Sequence, residues 1–152
     1  MLKSEQRTRL AKFSPIEDLA SELHGQVGCL HAVYDFSVLG GAVGTIALLD
    51  RFGEKAKLPA GAIIKSVLIN VETAATSGGL ATLAFSSEGA ADLKAATAVA
   101  SFSGDALLDG VPDNTAANAI LLTAERNISL VVAVAALIAG KVHVFCDYVL
   151  RS

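Results

Sequence analysis

The sequence predicts an all-β protein, an antiparallel β-sandwich or barrel of about eight short strands, and three observations carry that expectation. Apolar residues recur at every second position in several stretches: Val67, Ile69 and Val71; Ala81, Leu83 and Phe85; Ile128, Leu130, Val132 and Val134; Val142, Val144, Cys146 and Tyr148. A period of two puts such residues on one face of an extended chain. Turn residues punctuate these stretches, at Gly40-Gly41, Ser77-Gly78-Gly79, Pro112-Asp113-Asn114 and Ala139-Gly140. The alternate positions are seldom charged, being Thr82, Ala84 and Ser86, or Ser129, Val131, Ala133 and Ala135. Exposed antiparallel faces are normally more polar. Both faces of several strands are therefore expected to be covered, one by a second sheet and the other by neighbours or by the N-terminal segment.

Residues 1–26 stand apart. They carry Lys3, Glu5, Arg7, Arg9, Lys12, Glu17, Asp18 and Glu22. Ser14 followed by Pro15 supplies an N-cap and a first helical residue, which predicts a short helix over 15–24 closed by Gly25. The segment is read as an N-terminal arm or short helix, and 27–152 as the β-sandwich domain. Such an arm either lacks order of its own or orders on a partner's surface. In the second case Leu2, Arg7, Arg9, Leu10, Phe13 and Ile16 are the candidate contact residues.

The first strand is expected over 30–38, with Ala32, Tyr34, Phe36 and Val38 on one face, and the second over 43–49. Residues 50–57 form a charged loop. Pro59 and Gly61 then turn the chain into a strand over 63–71, and Ser77-Gly78-Gly79 turns it again into a partner strand over 80–85. The alanine-rich 90–97 has helical composition, with Asp92 early and Lys94 later. A short strand follows over 99–102, and 105–118 is irregular. Strands over 119–123, 128–137 and 141–150 complete the chain, separated by turns at 124–127 and 139–140.

A chain of 152 residues is one domain of ordinary size, long enough to bury its own core. Its hydrophobic fraction, 53%, is high for a soluble protein. The longest apolar run, 128–139, has about 12 residues against the ~20 a spanning helix needs, so no membrane partner is expected. No basic stretch followed by an apolar one opens the chain, so no signal peptide is expected. Surface covered in an oligomer or assembly explains the apolar excess better. A net charge of −3 without a basic stripe argues against nucleic acid. Cys29 and Cys146 suit neither a disulfide framework nor a metal site, and both read as small buried hydrophobes in a reducing compartment.

Nothing in the chain assembles into catalytic machinery. His31 and Asp35 share a strand face, as do His143 and Asp147, but each pair spans about 13 Å along its strand. The four could meet only if the first and last strands were neighbours. No G-x-S-x-G elbow is present. Gly40-Gly41-Ala42-Val43-Gly44-Thr45 lacks the lysine of a phosphate loop and opens a strand rather than a helix. The chain is therefore not expected to be an enzyme, and no catalytic residue, cofactor or metal is assigned.

Taken in order, His31-Ala32-Val33-Tyr34-Asp35-Phe36, Gly40-Gly41-Ala42-Val43-Gly44-Thr45-Ile46, and Leu58-Pro59-Ala60-Gly61-Ala62-Ile63-Ile64 resemble a group of small tailed-bacteriophage structural proteins. The similarity continues through Ser77-Gly78-Gly79-Leu80-Ala81-Thr82-Leu83-Ala84, residues 93–101 and Leu137-Ile138-Ala139-Gly140-Lys141, so that it covers about 30–149. The resemblance implies a capsid decoration, or cement, protein with a jelly-roll-like sandwich, found on the outside of the virion as a dimer or trimer. Its partner would be the major capsid protein, with assembly in the host cytoplasm. The family defines no functional side chains by motif, and residues 1–26 have no counterpart in it. A tail or head-fibre component is the alternative within the same class, and a soluble ligand-binding β-sandwich the alternative outside it. Zero Trp and 5% aromatic residues weaken the last, since sugar sites favour aromatic platforms.

Overall fold

A computed structural model describes residues 27–151. Its eight principal strands pair concentrically. β1 (Val27–Asp35) pairs with β11 (Leu137–Leu150), and β2 (Gly44–Ala47) with β10 (Ser129–Ala133). Inside these, β4 (Ala62–Ser77) pairs with β7 (Leu107–Asp113), and β5 (Thr82–Ser86) with β6 (Lys94–Ala98). The chain is thus one long hairpin with its tip between β5 and β6, rolled into two antiparallel sheets. Their strand orders are β1-β11-β4-β7 and β2-β10-β5-β6, the connectivity of a jelly roll. Two-residue strands fill the corners: β3 (Lys57–Leu58) pairs with β9 (Arg126–Asn127), and β8 (Ile120–Leu121) adds to β4. The expected all-β sandwich is what forms.

Burial follows the alternation in the sequence. Val67, Ile69 and Val71 of β4, Leu83 and Phe85 of β5, Leu130 and Val132 of β10, and Val142, Val144 and Cys146 of β11 all turn inward. Phe85 and Phe102 meet at the centre with ring centroids 6.2 Å apart and tilted by 47°, a geometry that favours the edge-on packing of aromatic quadrupoles. Each fully buried aliphatic side chain contributes about 1.5–3 kcal/mol of transfer free energy, so these two inward faces hold the sheets together. Among the described residues no helix is long and apolar enough to cross a membrane.

Several elements differ from expectation. The first strand stops at Asp35, because its carboxylate accepts from Ser37 N (2.9 Å) and Ser37 Oγ (2.6 Å) and caps a single helical turn, α1 (Phe36–Leu39). The buried Tyr34 hydroxyl fastens that turn by donating to Gly40 O at 2.7 Å. β5 is no partner of β4. Although only a short turn separates them, the chain crosses there from one sheet to the other. Residues 90–97 do not form a helix: they hold the hairpin tip, where Asp92 accepts from the backbone N–H groups of Ser87 and Gly89, and then edge strand β6. The short strand expected over 99–102 is a 3-10 turn (Val99–Ser101), and part of the irregular 105–118 is strand β7. The strand over 128–137 ends at Ala133, since Val134 has φ +73°. The turn expected at 139–140 is a bulge inside β11, where the pairing with β4 slips between Ala139 and Lys141 and Gly140 takes φ +145°.

Candidate functional site

The arm residues Leu2, Arg7, Arg9, Leu10, Phe13 and Ile16, and His24 with them, lie outside the described residues. The remaining candidates fall on two surfaces.

The first is the outer face of the larger sheet. Ala32 and Tyr34 point into the core, so Cys29, His31, Val33 and Asp35 point out. β1 and β11 are neighbours, with His31 opposite Phe145 and Val33 opposite His143. The ring of His31 stacks on Phe145 at 4.7 Å, and its Nε2 lies 2.8 Å from Nδ1 of His143. On the far side, His143 Nε2 lies 2.6 Å from Oε2 of Glu72, a carboxylate that Lys141 Nζ also approaches at 3.2 Å. Burial lowers the pKa of His31, helped by the facing His143 and by Arg51. Hydrogen bonds from His143 and Lys141 lower that of Glu72. The two aspartates take no part in this cluster: Asp35 caps α1, and Asp147 accepts from Ser66 Oγ at 3.0 Å. Among the described residues no group of three or more His, Cys, Asp or Glu is placed to hold a metal ion. What the cluster holds is a chain of ring contacts, in which one imidazole N–H donates to the facing ring nitrogen.

The cysteines part company. Cys146 is fully buried, and burial pushes its thiol up to about 12. Cys29, expected to be buried, is exposed because it sits on the outer face of an edge strand.

The second surface is one end of the sandwich. Residues 36–49, 73–87, 95–104 and 127–140 contain no Asp, Glu, Lys or Arg, and the fold gathers their loops. Leu137 N donates to Gly41 O at 2.8 Å, and Ser77 Oγ donates to Ala136 O at 2.8 Å. A Cβ on Gly79 would lie 3.0 Å from Ala135 Cβ. Val38, Val43, Leu80, Val134 and Ile138 stand on these segments, and each is at least 56% exposed. Beside this end lies the outer face of the smaller sheet, where the half-buried Thr82, Ser129, Val131 and Ala133 continue the uncharged surface. Five exposed aliphatic side chains together are unusual on a free surface. The alternation in the sequence groups Val38 with Ala32 and Tyr34, and Val134 with Leu130 and Val132, residues that turn inward. Only the breaks at Asp35 and Val134, which periodicity does not register, turn them outward.

No protein-family model matches the chain, and no curated protein matches it. Solved structures do. A chain of the cyanophage Pam1 capsid asymmetric unit superposes with a TM-score of 0.55 at 20% identity, over 84% of this chain and 87% of that one. A chain of the Ralstonia phage GP4 capsid superposes with a TM-score of 0.58 at 17% identity, over 86% and 88%. What they share with this chain is the fold. The superposition takes in nearly the whole of both partners in each case, so the likeness is of complete sandwiches rather than of one common hairpin.

Proposed function

We propose that this chain is a structural protein of a bacteriophage virion: a capsid decoration, or cement, protein on the outer surface of the shell. In this reading it associates as a dimer or trimer, is assembled in the host cytoplasm, and bridges neighbouring major capsid protein subunits. The observation that carries the reading is the near end-to-end likeness of its jelly roll to chains of two phage capsids. The surfaces support it. A cement protein must add buried contact across joints between subunits, which calls for a rigid module with apolar surface to spare. The uncharged end with Val38, Val43, Leu80, Val134 and Ile138 supplies that surface. In this reading the role is structural rather than catalytic.

The test is co-sedimentation with purified particles, with copy number taken against the major shell protein. Copies in the hundreds per particle are expected. A few copies would instead identify a tail or head-fibre part, and none at all would remove the virion reading and leave a soluble ligand-binding sandwich. Residues 1–26 are proposed to reach onto the shell through Leu2, Arg7, Arg9, Leu10, Phe13 and Ile16. Deleting them should leave the unfolding transition of the sandwich in place and lower particle occupancy. Unchanged occupancy would end that role for the arm.

A further inference from the structure

β1 forms one border of the larger sheet, and among the described residues only Val33 is paired along its outward side. Val33 N donates to Leu49 O at 2.7 Å, and Leu49 N donates back to Val33 O at 3.1 Å. Peptide groups of every second residue in a strand point the same way, so those of Val27, Cys29 and His31 also point away from the sheet. Among the described residues no backbone group bonds them there. A cleft of about 320 Å³ separates Cys29, Leu30 and His31 from Asp50, Arg51 and Phe52 of the neighbouring loop.

Exposed edges are normally guarded against pairing by charges, proline or bulges. The opposite border of the same sheet, β7, has all three: Asp109 and Asp113, Pro112, and a slip in its pairing with β4. A two-fold pairing of β7 with itself about Val111 would set Asp109 against Asp113 of the partner subunit, like against like. β1 has no such guard, for residues 27–34 contain no Asp, Glu, Lys or Arg.

We infer that this edge is an interface between two copies of the chain, with β1 pairing antiparallel to β1 about a two-fold axis at Cys29. This register sets Cys29 against its own copy and Val27 against His31 of the partner subunit. It uses the three open residues and leaves Val33 to Leu49. Residues facing each other across the axis carry no like charges, and about six backbone hydrogen bonds close the seam. The result is one continuous sheet through both copies, an isologous contact of the kind that closes after two subunits.

Cys29 makes the pairing measurable in the full chain, because Cys146 is fully buried and Cys29 is the accessible thiol. A short bismaleimide should join Cys29 to Cys29 and give a covalent dimer. Cys29→Ser should lose the cross-link yet remain dimeric by light scattering. Cys29→Pro removes the outward N–H at the axis while sparing the pairing with β11, and should raise the dimer's Kd by about tenfold or more, with the circular-dichroism spectrum unchanged. A chain that is monomeric at micromolar concentration would overturn the pairing. So would a dimer that gives no cross-link, or one that Cys29→Pro leaves intact. All of these are read in solution without particles, so each leaves the virion reading to its own copy-number test.

Discussion

The contact between His31 Nε2 and His143 Nδ1, at 2.8 Å, needs one N–H and one lone pair, so it exists while the two imidazoles hold a single proton between those atoms. A second proton would leave two donors facing each other. The groups around His31 are His143, Lys141 and Asp147 on β11, Glu72 on β4, Arg51 on the adjoining loop, and Cys29 and Asp35 on β1 itself. Burial, His143 and Arg51 together lower its folded pKa below the ordinary 6.5. A lowered folded pKa contributes stability that is complete above the unfolded value and is lost as pH falls through the folded one. The denaturant midpoint should therefore fall as pH drops below about 6.5, and His31→Gln should flatten that fall. Identical profiles for the two proteins would show that the contact is not proton-linked. Glu72, also lowered, acts in a separate window below its ordinary 4.5. The sequence already placed His31 with Asp35 and His143 with Asp147. It could not choose the partners actually made, because that choice depends on two strands 112 residues apart becoming neighbours.

Strand interiors were legible in the sequence and strand ends were not. Alternation marked the inward residues of β4, β5, β10 and β11 because hydrophobic burial acts on every second side chain. Endings depend on local hydrogen bonds and backbone angles, such as the Asp35 cap, the Asp92 tip and Gly140, which composition reports poorly. Gly140 shows the difference most sharply. Ala139-Gly140 reads as a turn, yet the chain runs straight through it as a bulge, with φ +145° at Gly140. A Cβ there would lie 3.1 Å from Ala75 Cα and 3.3 Å from its Cβ. Gly140→Ala should therefore cost about 2 kcal/mol or more in unfolding free energy, from backbone strain and from contact with a neighbour that cannot move aside. Gly78→Ala is the control: its Cβ would meet nothing within 4 Å, and its effect should stay within about 0.5 kcal/mol. Equal effects at the two sites would mean that the bulge is not constrained as described.

For the whole molecule, a sandwich of about eight strands follows from patterns along the chain, but the rolled hairpin follows from pairings across it, which no single sequence displays. Those pairings create the uncharged end, and Val134 is its most telling member. It is a β-branched residue at φ +73°, where such a side chain is sterically disfavoured, and it is 74% exposed. The isolated chain gains nothing evident from either property. Asn accepts this backbone region far more readily, so Val134→Asn should stabilise the free protein by about 1 kcal/mol, read as a higher denaturant midpoint. Strain kept at a surface position points to a use for the side chain elsewhere. If that use is contact with the shell, the same substitution should lower occupancy on particles while it raises stability in solution. Opposite signs in the two measurements cannot come from damage to the fold. A stabilised Val134→Asn protein that still decorates particles at full occupancy would remove this end from the shell contact and leave the arm to carry it.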